Sequence, residues 1–343
     1  MMEDWMASWE GLGFPKPKEA SLQKIETTGK KLLVEAGVEE EEAALEVRLL
    51  LQESFSLNTA SYLLRKQELL CKTEREQTEI WEKLHSFFEN FEKRRRRIPL
   101  AQILGRQSFY GLDFFVNEDV LIPRADTECL VDLVLEDYAD LAKQAGKIYA
   151  KKRNPEHVSN KHEDNVENGA NSSSLNILDL CTGSGCIGIS VAKHLPYQEL
   201  FLVDLSEKAL AVAKKNAEKH LGENVTFLQS DLLTEVRGKK FSLLLSNPPY
   251  IASRVISGLD REVSEYEPKM ALDGGEDGLV FYRRIAKEAK AVLLPGARLY
   301  LEIGYDQGES VKDIFQKEGY DEVEVFPDLS GNSRVLRGIF LGK

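Results

Sequence analysis

The sequence has few cysteines, no long apolar run and no excess of basic charge. Four cysteines in 343 residues make no disulfide framework, and such usage suits a reducing cytoplasm. No stretch reaches the ~20 consecutive apolar residues of a membrane-spanning helix, so no membrane partner is expected. The opening Met1–Glu10 carries acids at Glu3, Asp4 and Glu10 and no basic start before an apolar run. That speaks against a secretory signal and against an Arg-rich transit peptide. Lys plus Arg number 45 against 57 Asp plus Glu, a net charge of −12, and neither the first 90 residues nor the remainder is basic. Neutralising phosphates supplies much of the affinity of nucleic-acid binders, so direct nucleic-acid binding is not expected.

What is present is ordinary globular material, with 42% apolar and 30% charged residues, long enough for about two domains. Residues 19–97 read as helical. Leu32, Leu33, Ala36, Ala43, Ala44, Val47, Leu50 and Leu51 recur at three- and four-residue spacing, and Thr73 with Glu76 forms a capping box. A bundle of four or five short helices is expected. Glu39–Glu42 reads as a solvated helix start, and Lys93–Arg97 as a basic close to the last helix, each favoured by the helix dipole. Pro99 ends the bundle. The aromatic, turn-centred run Phe109–Val116 reads as a β-hairpin in a linker spanning 98–124, and Arg124–Glu128 opens a helix ending near Asp140. Residues 142–174 are polar, with His157 and His162 read as solvated, and are expected to form a flexible insertion.

From Leu175 onward, short apolar runs alternate with helices. Strands are expected at Leu175–Leu180, Leu200–Val203, Val225–Leu228, Phe241–Leu245 and Arg298–Ile303, with helices near 185–195, 206–221 and 276–294. A helix near 307–318 and strands near 321–326 and 334–341 follow, the last two forming an antiparallel edge. The fold class is α/β, a mostly parallel sheet covered on both faces, in a domain spanning 125–343.

The first chemical motif is Asp179–Gly188, at the end of a strand and the start of a helix. Gly183-x-Gly185-x-x-Gly188 meets the dinucleotide fingerprint, and Asp204 follows 21 residues after Gly183 at the end of the next strand. Glycines let the backbone approach a ligand, and a carboxylate there accepts both hydroxyls of a ribose. The pattern suits a nicotinamide dinucleotide or S-adenosylmethionine equally. Cys181 and Cys186 lack a second pair or a nearby histidine for zinc. Cys181 reads as a small residue beside the cofactor and Cys186 as core.

The second motif is Ser246-Asn247-Pro248-Pro249-Tyr250, directly after the fourth strand. Consecutive prolines turn backbone carbonyls away from sheet pairing. The Asn247 amide oxygen and the Pro248 carbonyl then offer two acceptors for the hydrogens of a planar amino group, and Tyr250 offers a flat face. Holding both hydrogens aligns the nitrogen lone pair with an electrophile. A dehydrogenase has no evident use for this arrangement.

Asp179–Gly188, Val203–Ser206 and Asn247–Tyr250 resemble the class I S-adenosylmethionine-dependent methyltransferases. Leu121-Ile122-Pro123-Arg124-Ala125-Asp126-Thr127-Glu128, Tyr266-Glu267-Pro268, Ala271-Leu272, Asp277-Gly278-Leu279 and Glu302-Ile303-Gly304 narrow the resemblance to the release factor glutamine methyltransferases (PrmC/HemK family). It covers essentially the whole chain, departing at Cys181, where glycine is common, at Ala125-Asp126 in place of Pro-Glu, and in the longer 142–174. The resemblance implies a seven-stranded Rossmann-like methyltransferase sheet with an N-terminal helical bundle over 1–97. It implies S-adenosyl-L-methionine as cofactor, S-adenosyl-L-homocysteine as product and no metal. The methyl would go to the side-chain amide of the glutamine in the Gly-Gly-Gln motif of class I peptide-chain release factors. Cys181, Thr182, Gly183, Ser184, Gly185 and Asp204 would hold the cofactor, with Asp231 and Leu232 flanking the adenine and Asn247 also in contact. Asn247, Pro248, Pro249 and Tyr250 would hold the glutamine, with Asn247, Pro248 and Tyr250 carrying catalysis. Glu302 is assigned a structural hydrogen bond. A cytoplasmic monomer whose bundle recognises the protein substrate is expected. The competing readings are a nucleic-acid methyltransferase acting on exocyclic amines, a nicotinamide oxidoreductase and a non-catalytic cofactor-binding protein.

Overall fold

The computed structural model describes residues 2–71, 74–140 and 174–342. The expected insertion at 142–174, apart from Ser174, and Thr73 of the capping box lie outside the described residues. The chain forms two compact units, Met1–Gly105 with Asp260–Tyr266, and Arg106–Leu259 with Glu267–Lys343. This division differs from the expected boundaries: residues 98–105 fall with the helical unit, and 106–124 with the sheet-bearing unit. A seven-residue segment far along the sequence, 260–266, also falls with the helices.

The helical unit comprises α1 (Met2–Gly11), α2 (Leu22–Glu35), α3 (Glu40–Ser54), α4 (Thr59–Arg65), α5 (Glu74–Arg95), α6 (Leu100–Leu104) and a short turn at Arg261–Ser264. Ser21 and Asn58 cap α2 and α4, their side-chain oxygens accepting from Lys24 N and Ser61 N. Gly29 lets α2 approach α3, since a Cβ there would sit 2.9 Å from Val47. Helix α1 was not expected from the sequence. Its buried Trp9 stacks on Phe14 at 4.3 Å and packs edge-on to Phe87, so tertiary contact holds a helix too short to persist alone. Glu40, Glu41 and Glu42 are exposed in the first turn of α3, as expected. The basic run differs from a simple solvated helix end. Arg94 is buried and donates to Glu46 at 2.8 Å and to Glu262 at 2.9 Å, and Arg97 pairs with the other oxygen of Glu262. These pairs draw the 260–266 segment onto the helices.

The sheet-bearing unit opens with the hairpin β1 (Arg106–Phe109) and β2 (Leu112–Phe115). Its two-residue turn Tyr110-Gly111 has positive φ at both positions, the form that matches strand twist. Helix α7 (Glu128–Asp137), β3 (Leu175–Leu180), α8 (Cys186–His194), β4 (Tyr197–Asp204), α9 (Glu207–His220), β5 (Val225–Gln229), β6 (Phe241–Ser246), α10 (Val280–Glu288), β7 (Leu293–Glu302), α11 (Gly308–Lys317), β8 (Asp321–Pro327) and β9 (Ser333–Phe340) follow. The seven-stranded order is β5-β4-β3-β6-β7-β9-β8. Strands β3 to β7 run parallel, and β9 is antiparallel to both β7 and β8, giving the expected antiparallel edge. Alternate residues enter opposite cores, Leu178, Leu180 and Leu244 on one face and Ile177, Leu243 and Leu245 on the other. That two-sided burial makes these strands read as unbroken apolar runs.

Strand β4 begins three residues earlier than expected. Strand β7 also starts early, at Leu293, which pairs with Phe241 before Pro295-Gly296 shifts the register. The helix expected over 276–294 is correspondingly confined to α10 and a single turn at Ala289–Ala291.

Candidate active site

The parallel strands β3 to β7 all end on one edge of the sheet. The chain turns outward in opposite directions from the neighbouring pair β3 and β6, the switch point where open α/β sheets form ligand crevices. Leu180, Asp204, Ser246 and Glu302 close β3, β4, β6 and β7 at this edge. A cavity of about 320 Å³ lies there, within the sheet-bearing unit.

Most residues expected at the site converge on this cavity. Cys181, Thr182, Gly183, Ser184, Asp204, Asp231, Leu232, Asn247 and Pro249 line it. Gly183 has a positive φ and, among the described residues, nothing within 4 Å of where a Cβ would stand, so the loop is open at this position on the cavity wall. Asp204 accepts from Gly183 N through Oδ2 and from Ser206 N through Oδ1, both at 2.9 Å. Burial raises its pKa against the pull of these amides, and a carboxylate retains lone pairs for further donors. Among the described residues the Asn247 side chain has no hydrogen-bond partner, which leaves its amide available to a ligand.

Three expected residues are not on the cavity wall: Gly185, Pro248 and Tyr250. Gly185 serves the helix start. Its φ is +82°, and a Cβ would meet Ile189 at 2.7 Å. Gly188 lets α8 sit close on the sheet, since a Cβ would lie 2.8 Å from Asp179 Oδ2 and 2.9 Å from Leu202. Pro248 is buried. Tyr250 is turned toward Glu302, its hydroxyl donating to Oε1 at 3.2 Å, so Glu302 has the hydrogen-bonding role read from the sequence. Cys181 holds φ at +55°, a left-handed conformation that a glycine adopts without cost. Burial pushes the Cys181 thiol up, and that of the core residue Cys186 up to about 12.

Sequence reasoning missed a whole wall. Asp119, Leu121, Pro123, Arg124 and Thr127 line the cavity, although they fall in or beside the stretch read as linker. The buried carboxylate of Glu267 holds this segment, accepting from Arg124 Nη2 at 2.7 and 2.8 Å and from Ile122 N at 3.4 Å. Met270, Ala271 and Asp273 add a further edge. The available signals were Leu121–Glu128 and Tyr266–Pro268, which have no periodicity and were legible only as family motifs. Asp179 lies beneath the glycine loop. Its Oδ2 accepts from the Thr182 hydroxyl at 2.6 Å and from Gly188 N at 3.0 Å, while Oδ1 has no hydrogen-bond partner among the described residues. Burial pushes its pKa up to about 7.

The methyltransferase small domain family model matches residues 165–262. A release factor glutamine methyltransferase from Clostridium acetobutylicum is 37% identical over 81% of this chain and 88% of its own length. A bifunctional methyltransferase from Rickettsia conorii is 36% identical over 85% of this chain, which spans about half (53%) of that longer protein. Among solved structures, a protein-(glutamine-N5) methyltransferase from Alicyclobacillus acidocaldarius is 27% identical over 66% of this chain and 99% of its own, with a TM-score of 0.36. The chain belongs to the release factor glutamine methyltransferase family.

Proposed function

We propose that this protein transfers a methyl group from S-adenosylmethionine to the side-chain amide nitrogen of the Gly-Gly-Gln glutamine in class I peptide-chain release factors. The observation that carries this reading is Asn247-Pro248-Pro249-Tyr250 at the end of β6, with Asn247 and Pro249 on the wall of the cavity that the glycine loop and Asp204 also line, in a chain of this family. The cavity's volume is within the range of small-molecule sites. The open Gly183 position and the Asp204 carboxylate match a nucleoside-bearing cofactor in approach and in hydrogen-bonding chemistry.

When bound, the cofactor supplies a sulfonium methyl, an electrophile strong enough to need no further activation. Asp204 would accept the ribose hydroxyls, and Asp231 and Leu232 would border the base. Asn247 Oδ1 accepts from the substrate amide and holds its nitrogen, a weak nucleophile because its lone pair is delocalised into the carbonyl. Fixing that nitrogen in line shortens the search for a reactive geometry. Asn247 also favours the positive character the nitrogen gains during attack, which acidifies its proton for loss to water.

The helical unit, with its 260–266 segment, is assigned to recognition of the release factor, since one glutamine side chain carries too little specificity. Incubating the enzyme with methyl-labelled cofactor and either release factor or bulk RNA tests the substrate class. Label should enter the release factor and be lost with a Gln→Asn release factor. Label entering RNA instead would favour the nucleic-acid reading.

A further inference from the structure

Tyr250, the last residue of the Asn-Pro-Pro-Tyr run, is held from several sides. Its hydroxyl donates to Glu302 Oε1 at 3.2 Å, and its carbonyl accepts from Gln307 Nε2 at 2.9 Å. Gln307 is fixed in turn, its Oε1 accepting from Gly304 N at 3.0 Å. Gly274 and Gly278 close on the same residue: a Cβ at Gly274 would lie 2.8 Å from the Tyr250 backbone, and one at Gly278 2.4 Å from its carbonyl oxygen. Glu302 is buried at the end of β7, and its own carbonyl accepts from Tyr282 Oη at 2.9 Å. Burial raises the pKa of its carboxyl, with the nearby Thr127 hydroxyl and Arg334 opposing. Neither Glu302 nor Tyr250 is on the cavity wall, while Asn247 and Pro249 are.

We propose that Glu302 is a positioning residue for methyl transfer: by accepting from the Tyr250 hydroxyl it fixes the far end of the Asn247–Tyr250 corner and thereby the height of Asn247 against the cavity. This rests on the reading of the site given above and adds to it a residue that touches neither cofactor nor substrate. The prolines stiffen the corner between its ends, so a shift at Tyr250 is passed to Asn247 rather than absorbed. What Glu302 contributes is an acceptor oxygen, which glutamine retains and alanine lacks. Without it a mostly buried hydroxyl is left unpaired and the ring is free to turn.

The test is a cycle of Tyr250→Phe, Glu302→Ala, the double variant and Glu302→Gln in the full-length enzyme. Three quantities are read: kcat for transfer to a release factor, S-adenosylhomocysteine affinity, and the 13Cζ resonance of Tyr250, assigned by its loss in Y250F. Misplacing reacting groups by a fraction of an ångström costs on the order of tenfold in rate. Y250F and E302A should therefore each lower kcat about tenfold with cofactor-product affinity unchanged. The double variant should be no worse than either single one, and E302Q should recover most of the loss. The Tyr250 resonance should move in E302A and stay in place in E302Q. Losses that multiply in the double variant, an E302Q equal to E302A, or an unmoved resonance in E302A would each overturn the proposal. If E302A does not fold, Y250F alone decides, and an unchanged kcat overturns it. A wild-type enzyme that binds S-adenosylhomocysteine but transfers no methyl to a release factor would instead refute the substrate reading, and the resonance would still report whether Glu302 holds Tyr250.

Discussion

The two units bury charge in different ways. In the helical unit, carboxylates drawn inward meet arginine: Glu46 and Glu262 share the buried Arg94, and Glu26 pairs with Arg48 at 3.0 Å while accepting from Tyr62. The sheet-bearing unit also pairs carboxylates with arginine, Glu267 with Arg124 and Asp328 with Arg334, but Asp179 and Glu302, buried at strand ends, each keep one oxygen without a hydrogen-bond partner among the described residues. Paired charges fix how segments pack. Incompletely paired ones stand beside the cavity, where strain on a polar group accompanies function. Paired charge thus serves architecture in both units, and the sheet-bearing unit adds incompletely paired carboxylates near the cavity.

The cavity can be altered without altering the fold. Asn247→Ala should lower methyl transfer by at least about a hundredfold, the scale of losing one preorganised group at a reacting centre. Its thermal midpoint should stay near that of wild type. A melting point that falls with activity would make Asn247 a structural residue. The converse is Arg94→Met, which leaves Glu46 and Glu262 without their shared cation. Breaking a buried pair costs about 3–5 kcal/mol, so urea unfolding should show a large loss. S-adenosylhomocysteine binding by the molecules still folded should match wild type.

A pH series separates the units further. The pKa of Asp179 is raised to about 7 from 3.8, so the folded state holds a proton that the unfolded chain releases. Its contribution to stability is therefore full below pH 3.8 and is lost as pH rises toward 7. Asp179→Asn should gain on wild type across that window, measured as the difference in urea midpoint. A difference independent of pH would show that Asp179 titrates normally. The smallest effect is expected at Cys181→Gly. It relieves a left-handed φ worth about 1 kcal/mol and gives up the contacts of a half-buried thiol, so stability should remain within about 1 kcal/mol of wild type.

The two units also differ in how far they could be read from sequence. Strands β3 and β6 are apolar because both faces are covered, and their ends, like those of the edge strand β5, were legible within one residue. Their loops carry glycine and proline signals, which placed Asp204 and Asn247 at the cavity. Helix α1 was not legible, because its support comes from Phe14 and Phe87 rather than from its own period. The wall at Asp119–Arg124 was read as linker because it has no repeating pattern and is held by distant side chains, Glu267 and Lys208. The pairing of Arg94 with Glu262 spans 168 positions, and no local rule reports it. The placement of Tyr250 likewise depends on Glu302 and Gln307, more than fifty residues later.

If the Asn247–Tyr250 run after β6 delivers a glutamine amide to the methyl donor, a substitution at Asn247 should abolish modification of that glutamine. Tandem mass spectrometry of a class I release factor, incubated with S-adenosylmethionine and either wild-type or Asn247→Ala enzyme, tests it most directly. One added methyl on the side-chain nitrogen of the Gly-Gly-Gln glutamine, present with wild type and absent with the variant, is the predicted result. An unmodified glutamine after incubation with active wild-type enzyme, or equal methylation by both proteins, would contradict it.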